Sequence, residues 1–270
     1  MKKIRSQRSA FELKTGAALA ILIGGLTLLG FFYLPYDYNA MDNGSRFLPP
    51  AIDHLMGTDN FGRDVFSRII AGAKYTLLTA LITVTGSAAA GSVLGMLSGY
   101  AGKVWDEIIM RLTDTLSSFP GILLALIMVS LLDNSSGALI IALLILFIPG
   151  FTRIMRNGML RFKDRDFILA ARIAGISSPR IIFVHIFPNL FSPLLSAMVL
   201  GLSNAILAES TMSYLGLGIQ PPIPSWGRML AESQGYLFNA PWCALAPGIM
   251  IMLTVLAFHY LGDALAGEVQ

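Results

Sequence analysis

Polar and hydrophobic positions segregate on the scale of whole helices, not of single turns. Stretches without Asp, Glu, Lys or Arg run from Thr15 to Tyr36, Tyr75 to Gly102, Asn134 to Thr152, Ile181 to Ala208 and Ser233 to Gly262. A further stretch, Leu112 to Leu132, is interrupted only by Asp114 near its start. A helix crossing a ~30 Å hydrocarbon layer needs about 20 mostly apolar residues, and each stretch can supply them. The fourth has its core at Ala138–Ile148 and the sixth near Cys243–Leu261. In the fifth, Pro188 and Pro193 place the start of the membrane helix late. The pattern predicts an all-α integral membrane protein with six transmembrane helices.

The segments between the spans predict orientation and domains. Lys2, Lys3, Arg5 and Arg8 precede the first span, as in a signal peptide. Its apolar run, however, exceeds an h-region of about 7–15 residues, and no A-x-A-like site follows, so it reads as an uncleaved anchor. With the N-terminus inside, 14 of the 19 lysines and arginines lie on the inner side and five, namely Arg46, Arg63, Arg68, Lys74 and Arg228, on the outer. The excess of inner basic residues predicts that both termini are cytoplasmic. The expected organisation is a cytoplasmic segment 1–14, an anchor helix 15–36, an external loop 37–73, a core 74–263 with an inner loop 153–188, and a short cytoplasmic tail 264–270.

Composition narrows the function. Charged residues make up 13% and hydrophobic residues 55%, against about 25% charge in a soluble domain. This excludes a water-soluble globule, a disordered chain and a nucleic-acid module driven by basic excess. The single cysteine, Cys243, excludes an internal disulfide and a multi-thiolate metal site. His54, His185 and His259 fall on an outer loop, the inner loop and the last span, so no metal site is expected. The 13 methionines read as packing or lipid-facing residues. Only Lys103 follows a glycine, and Val104 comes next, so no phosphate-cradling Gly-Lys-Ser/Thr loop exists. A membrane enzyme would need clustered catalytic groups, and none is present.

The inner loop is too polar to span. Asp164 or Asp166 can cap a short helix through Phe167–Ala174 by accepting from free N–H groups of its first turn. Gly175 suits the left-handed residue after a helix end. Ser178 as N-cap and Pro179 at the first helical position restart a helix, which Pro188 ends or kinks. Two short helices with a glycine elbow are therefore expected. Ala170, Ala171 and Ala174 form a small-residue surface suited either to close docking of another protein or to an ordinary interfacial hairpin.

On these residues the chain resembles a family. Ala170-Ala171, three residues, Gly175, nine residues and then His185-Ile186-Phe187-Pro188 is similar to the coupling-loop motif of ABC-importer permeases, with Leu169, His185 and Phe187 departing from its Glu, Ile and Leu. Gly57-Thr58-Asp59-Asn60-Phe61-Gly62-Arg63-Asp64 through Arg68 looks like the block before the second span in the dipeptide/oligopeptide/nickel subfamily. Arg111-Leu112-Thr113-Asp114 with Phe119-Pro120, and Ser213 through Pro222 with Ser225-Trp226-Gly227, resemble its third span and its outer loop.

The resemblance implies a type I ABC importer permease fold in a bacterial plasma membrane and one half of a pathway for small peptides or nickel chelates. Its implied partners are a second permease subunit, two ATP-binding subunits carrying ATP and Mg, an extracytoplasmic solute-binding protein and membrane lipid. No cofactor is expected on this chain, nor any nucleic-acid partner. Asp166, Ala170, Ala171, Arg172, Gly175, Ser178, Pro179 and Pro188 become the ATPase-coupling residues. Arg172 and Arg180 would pair with acidic groups on the ATPase or anchor lipid headgroups.

Intramembrane charge marks functional candidates. Asp114 and Glu209 are the pathway candidates: Asp114 lies one turn from Arg111, where a local pair is the plainer reading, and Glu209 at the outer end of span five can face the pathway. Asp59 with Arg63 and Asp64 with Arg68 are each four apart and are expected to fold the outer loop. Leu215–Gly218 with Pro221-Pro222 reads as a rigid re-entrant or interfacial loop, placed to touch the binding protein. Gly86, Ala90, Gly91 and Gly95 suit close helix packing, within the bundle or between permeases. An ion-gradient-driven secondary transporter or channel is the alternative, disfavoured by the structured inner loop and the scarcity of buried charge.

Overall fold

The computed structural model describes residues 2–133 and 135–268. The expected start of the fourth span at Asn134 and the last two residues of the expected tail lie outside the described residues. Ten helices follow in order: α1 (Lys2–Phe32), α2 (Val65–Ala101), α3 (Lys103–Ser118), α4 (Gly121–Leu131), α5 (Ser136–Phe162), α6 (Asp166–Ile173), α7 (Ser178–Arg180), α8 (Phe187–Tyr214), α9 (Trp226–Ser233) and α10 (Trp242–Glu268). Among the described residues, five helical stretches are long and apolar enough to cross a membrane, and the bent pair α3–α4 makes up to six. The all-helical membrane architecture is thus as expected.

The helix boundaries follow local chemistry. Asp64 caps α2, accepting from Ser67 N at 2.7 Å, and this moves the helix start ten residues outward from the first uncharged position, Tyr75. Ser135 caps α5 through Ala138 N at 3.1 Å. The expected third span is broken. Phe119 is extended, Pro120 offers no backbone donor, and α4 leaves α3 at 93°. Within the expected inner loop 153–188, α5 continues as helix to Phe162. Pro188 does not end the helix, which runs on from Ser178 to Tyr214. A π-helical turn, Ile181–Ile186, precedes it and places it in the first turn of α8, where a missing N–H costs no intrahelical bond.

Packing sets direction. Gly91, Gly95 and Gly99 of α2 lie against Phe151, Met155 and Met159 of α5 in rising order, so the two helices run parallel. A Cβ at Gly95 would lie 2.7 Å from that of Met155, which is why small residues recur here. Ser87 Oγ donates to Leu144 O of α5 at 2.9 Å. The small residues of span two therefore build the bundle. α8 runs opposite to α2, and α10 opposite to α8, with Ser203 Oγ donating to Val255 O at 3.1 Å and Gly262 seated on Leu200. α1 lies along α10, with Gly16 against Ala257 and Leu261, so the chain's two ends share one end of the bundle. Met155, Met159, Ile168, Ile181, Ile186, Leu190, Leu194 and Ile206 form a core that joins the spans to the loop after α5.

Candidate coupling site and external latch

Arg165 occupies the N-cap position of α6 and offers no side-chain cap. Neither Asp164 nor Asp166 caps the helix as expected. Asp166 lies in the first turn, where its charge complements the helix dipole. The other end closes as expected. Gly175 takes φ +75°, its N–H donates to Arg172 O at 3.0 Å, and Ile176 N–H reaches back to Ala171 O at 3.1 Å. These two bonds form a Schellman ending, and Ile176 tucks against the same core as Ala171. The next helix begins one residue early. Ser177 holds the N-cap position without a side-chain bond, and Ser178 and Pro179 fill the first turn. The shift is tolerated because first-turn N–H groups have no helical partner to lose.

The moored face of α6 consists of Ile168, fully buried, and Ala171, 8% exposed. Ala171 is therefore a foothold for the helix and does not belong to an open alanine surface. Ala170 and Ala174 stay exposed, flanked by Phe167, Leu169 and Ile173, the last 88% exposed. Pro179, Arg180 and Pro188 are exposed beside them. Arg172 lies over the Tyr100 ring with its guanidinium carbon 5.5 Å from the centroid, a partner within the chain that its sequence position did not reveal. The arrangement is a short rigid helix gripped on one side and apolar on the other, and it can transmit a push.

The two pathway candidates separate. Asp114 accepts from Arg153 Nη2 of α5 at 2.8 Å, while Arg111 turns to Glu107. The expected Arg111–Asp114 pair is therefore replaced by a bond between helices. Beside it, Asp106 of α3 takes Arg156 of α5 through both carboxylate oxygens and receives the Ser98 hydroxyl of α2. Glu209 does not face an open path. It is fully buried, accepting from Ser213 Oγ at 2.6 Å, with the hydroxyls of Ser210, Thr76 and Ser225 around it. Ser225 also caps α9, and fully buried Trp226 donates Nε1–H to Ile69 O at 3.0 Å. Glu209 thus ties α8 to α2 and to the root of α9.

At that end of the molecule the expected pairs are rearranged. Arg63 Nε meets Asp59 Oδ2 at 2.6 Å, but within a tight turn and not on a helix face. Asp64 caps α2 and pairs with His54 Nδ1 at 2.9 Å, so it does not hold Arg68. Arg68 Nη2 and Arg63 Nη2 converge on Glu232 Oε2 of α9 at 3.0 and 3.1 Å, and Arg228 approaches its other oxygen at 3.3 Å. Glu232 was not singled out in the sequence. Its spacing from Arg228 was a readable signal, whereas its bonds to Arg63 and Arg68 span more than 160 residues. Tyr236 stands beside this latch, its phenol pushed well above the usual range by burial. On the open surface nearby, the Ser45 hydroxyl and Gly44 N–H hold the Asp42 carboxyl below its ordinary range.

A bundle of apolar helices, charge confined to its two ends and a moored helix exposed after α5 together define a multi-pass membrane permease subunit. Residues 91–269 match the family described as the binding-protein-dependent transport system inner membrane component. Over 267 residues the chain is 38% identical to the dipeptide transport system permease protein DppC of Alkalihalophilus pseudofirmus, covering 96% of this chain and 87% of that protein. It is likewise 38% identical over 270 residues to the glutathione transport system permease protein GsiD of Escherichia coli, covering 98% and 86%. A solved structure of the inward-facing MetNI methionine ABC transporter superposes with a TM-score of 0.62 at 17% identity, covering 75% of this chain and 96% of that one, and shows the fold alone.

The chain belongs to the binding-protein-dependent inner membrane component family and is a permease subunit of an ABC importer, with the type I fold. This bears out the resemblance and sets aside the ion-gradient alternative. Such a permease is a non-catalytic subunit, and it works in general with a second permease, ATPase subunits and a solute-binding protein.

Proposed function

We propose that this chain forms one half of the pathway of an ATP-driven importer for short peptides in a bacterial inner membrane. It pairs with a different permease subunit and receives its solute from an extracytoplasmic binding protein. ATP and Mg are held by two partner ATPase subunits, one of which receives α6. The basic residues around α5 and α6 support a cytoplasmic position for this face. The relatives named for dipeptide, peptide and glutathione transport support the solute class.

The observation that carries the reading is α6 itself, moored by Ile168 and Ala171 while Phe167, Leu169 and Ile173 stay open. An apolar patch of this kind needs a partner surface. Closure of the nucleotide sites would tilt α6, and the core it shares with α5 and α8 would carry that tilt into the spans as a rigid-body switch. Asp166, Ala170, Arg172, Gly175, Ser178, Pro179 and Pro188 set the angle and edge of this contact. Asp114 and Glu209 act as struts between helices.

The test is uptake of labelled di- and tripeptides into liposomes holding the assembled importer, with ATP supplied to the ATPase side. Accumulation should require the ATPase subunits, and Ile173→Glu should release them while leaving the spans inserted. Uphill uptake by this chain alone would refute the proposal. Uptake of a nickel chelate in place of peptide would move the solute class and leave the coupling assignment standing.

A further inference from the structure

We propose that α3 does not cross the membrane but lies flat in it, with one apolar face resting in the bilayer boundary on the α6 side. Two ion pairs fix its direction. Asp106 of α3 meets Arg156 of α5, and Asp114 meets Arg153. Between those aspartates α3 advances by about 12 Å, whereas the two arginines are separated by only about 4.5 Å along α5. α3 therefore runs across α5 and not along it. α4, turned by 93° from α3, does run along α5, with Gly121 against Leu146 and with Ala125 and Val129 in the same cluster as Leu139 and Leu143.

The residue pattern of α3 divides into three arcs. Ile109 and Thr113 are buried against the bundle. Val104, Trp105, Ile108 and Leu112, between 47% and 69% exposed, fall within an arc of about 100° on one flank. Lys103, Glu107, Arg111 and Asp114 occupy the other flank, where Glu107 and Arg111 pair. A span surrounded by lipid would not carry a charged flank along its whole length. An aliphatic stripe bearing a tryptophan beside a charged stripe is the pattern of a helix lying in the membrane–water boundary. Phe119, also exposed, continues the apolar stripe toward Ile122, Leu123 and Ile127 on the open side of α4. The occupant of the face is lipid, continuous with the lipid around α4. Because Arg153 and Arg156 stand just before α5 leaves the bundle for α6, α3 acts as a float that holds α5 at a fixed depth.

Single cysteines at Val104, Ile108, Leu112, Leu123 and Ile127, made in a Cys243→Ser background, are spin-labelled in the assembled importer in liposomes. Collision with oxygen and with a water-soluble nickel reagent then gives the depth of each. The expected result is one common depth for residues 104, 108 and 112, then increasing depth at 123 and 127. A depth that changes by about 12 Å from 104 to 112 marks a crossing helix and overturns the proposal. Low access to both reagents at all three positions shows another subunit covering the face and also overturns it. Quenching of Trp105 by lipids brominated at known depths, read as wild type minus Trp105→Phe, gives the depth without a cysteine. It should place the ring near the headgroups, and quenching strongest at the bilayer centre would count against the assignment.

Discussion

Replacing Gly175 tests whether the elbow after α6 works through its backbone. The residue sits at φ +75°, and a Cβ built there meets nothing within 4 Å. Any effect in the isolated chain is therefore conformational and not a clash. For an L-residue the left-handed region costs about 1–2 kcal/mol, with Asn excused because its side chain bonds locally. A β-branched residue pays more. A loss of 1–2 kcal/mol lowers the ratio of the bent form to the continued form by roughly 5–30-fold. The form that gains is α6 continued through residue 175, which breaks the bonds from Gly175 N–H to Arg172 O and from Ile176 N–H to Ala171 O. Ile173 and Leu169 would then point elsewhere. ATP hydrolysis and peptide uptake measured on the same liposomes give the transported amount per ATP. Gly175→Asn should stay near wild type, Gly175→Ala should fall several-fold, and Gly175→Val should hydrolyse ATP with little uptake while remaining inserted. Full uptake per ATP in Gly175→Val would refute the argument. So would equal damage from Asn and Val, because that would place the fault in a side chain meeting the ATPase and not in φ.

Other expectations follow from the packing. Gly95→Ala crowds Met155 and should cost about 1–3 kcal/mol in detergent unfolding; Gly24→Ala, with nothing within 4 Å, should be neutral or stabilising, and equal stabilities for the two would refute the close α2–α5 contact. Glu209→Ala strips the acceptor from Ser213 and its neighbours and should cost about 1–3 kcal/mol; Glu209→Gln should recover part of this in thermal unfolding, and unchanged melting in both would remove Glu209 as a strut. Glu232→Ala leaves Arg63 and Arg68 facing each other without their shared carboxylate and should open the outer latch. Faster protease cleavage in residues 45–63 should report that opening, and unaltered cleavage would argue that Asp59 alone holds the turn.

The spans were legible because hydrophobic runs of membrane length have few other readings. The elbow at Gly175 was legible for another reason: a Schellman ending uses only residues three and five apart, all visible in one stretch. What stayed hidden was long-range. No local pattern pairs Asp106 with Arg156, or Glu232 with Arg63, so Asp114 was given to its neighbour Arg111 and Arg68 to Asp64. The break at Phe119-Pro120 was visible as a motif, but its 93° turn depends on where the Asp106 and Asp114 bonds hold α3. The helical start of the inner loop stayed hidden for a related reason. Charge at Arg153, Arg156 and Arg161 marks where lipid ends, whereas the helix of α5 ends only where backbone bonding stops, at Phe162. Ser178 reads as the N-cap because it precedes a proline, yet the chain after the Schellman bond at Ile176 curls one residue sooner, at Ser177.

The ladder of glycines that seats α2 on α5 also has a mechanical meaning. Helices pressed together at Gly91, Gly95 and Gly99 cannot slide past one another without climbing over Phe151, Met155 and Met159. They form a single beam about 40 Å long, the length of α5. A displacement applied at its lower end is delivered to its upper end as rotation about some fulcrum between them, without being absorbed as slack. The stroke that reaches the solute is then set by where that fulcrum lies, and shifting it by one turn of helix would regear the machine without altering either of its ends.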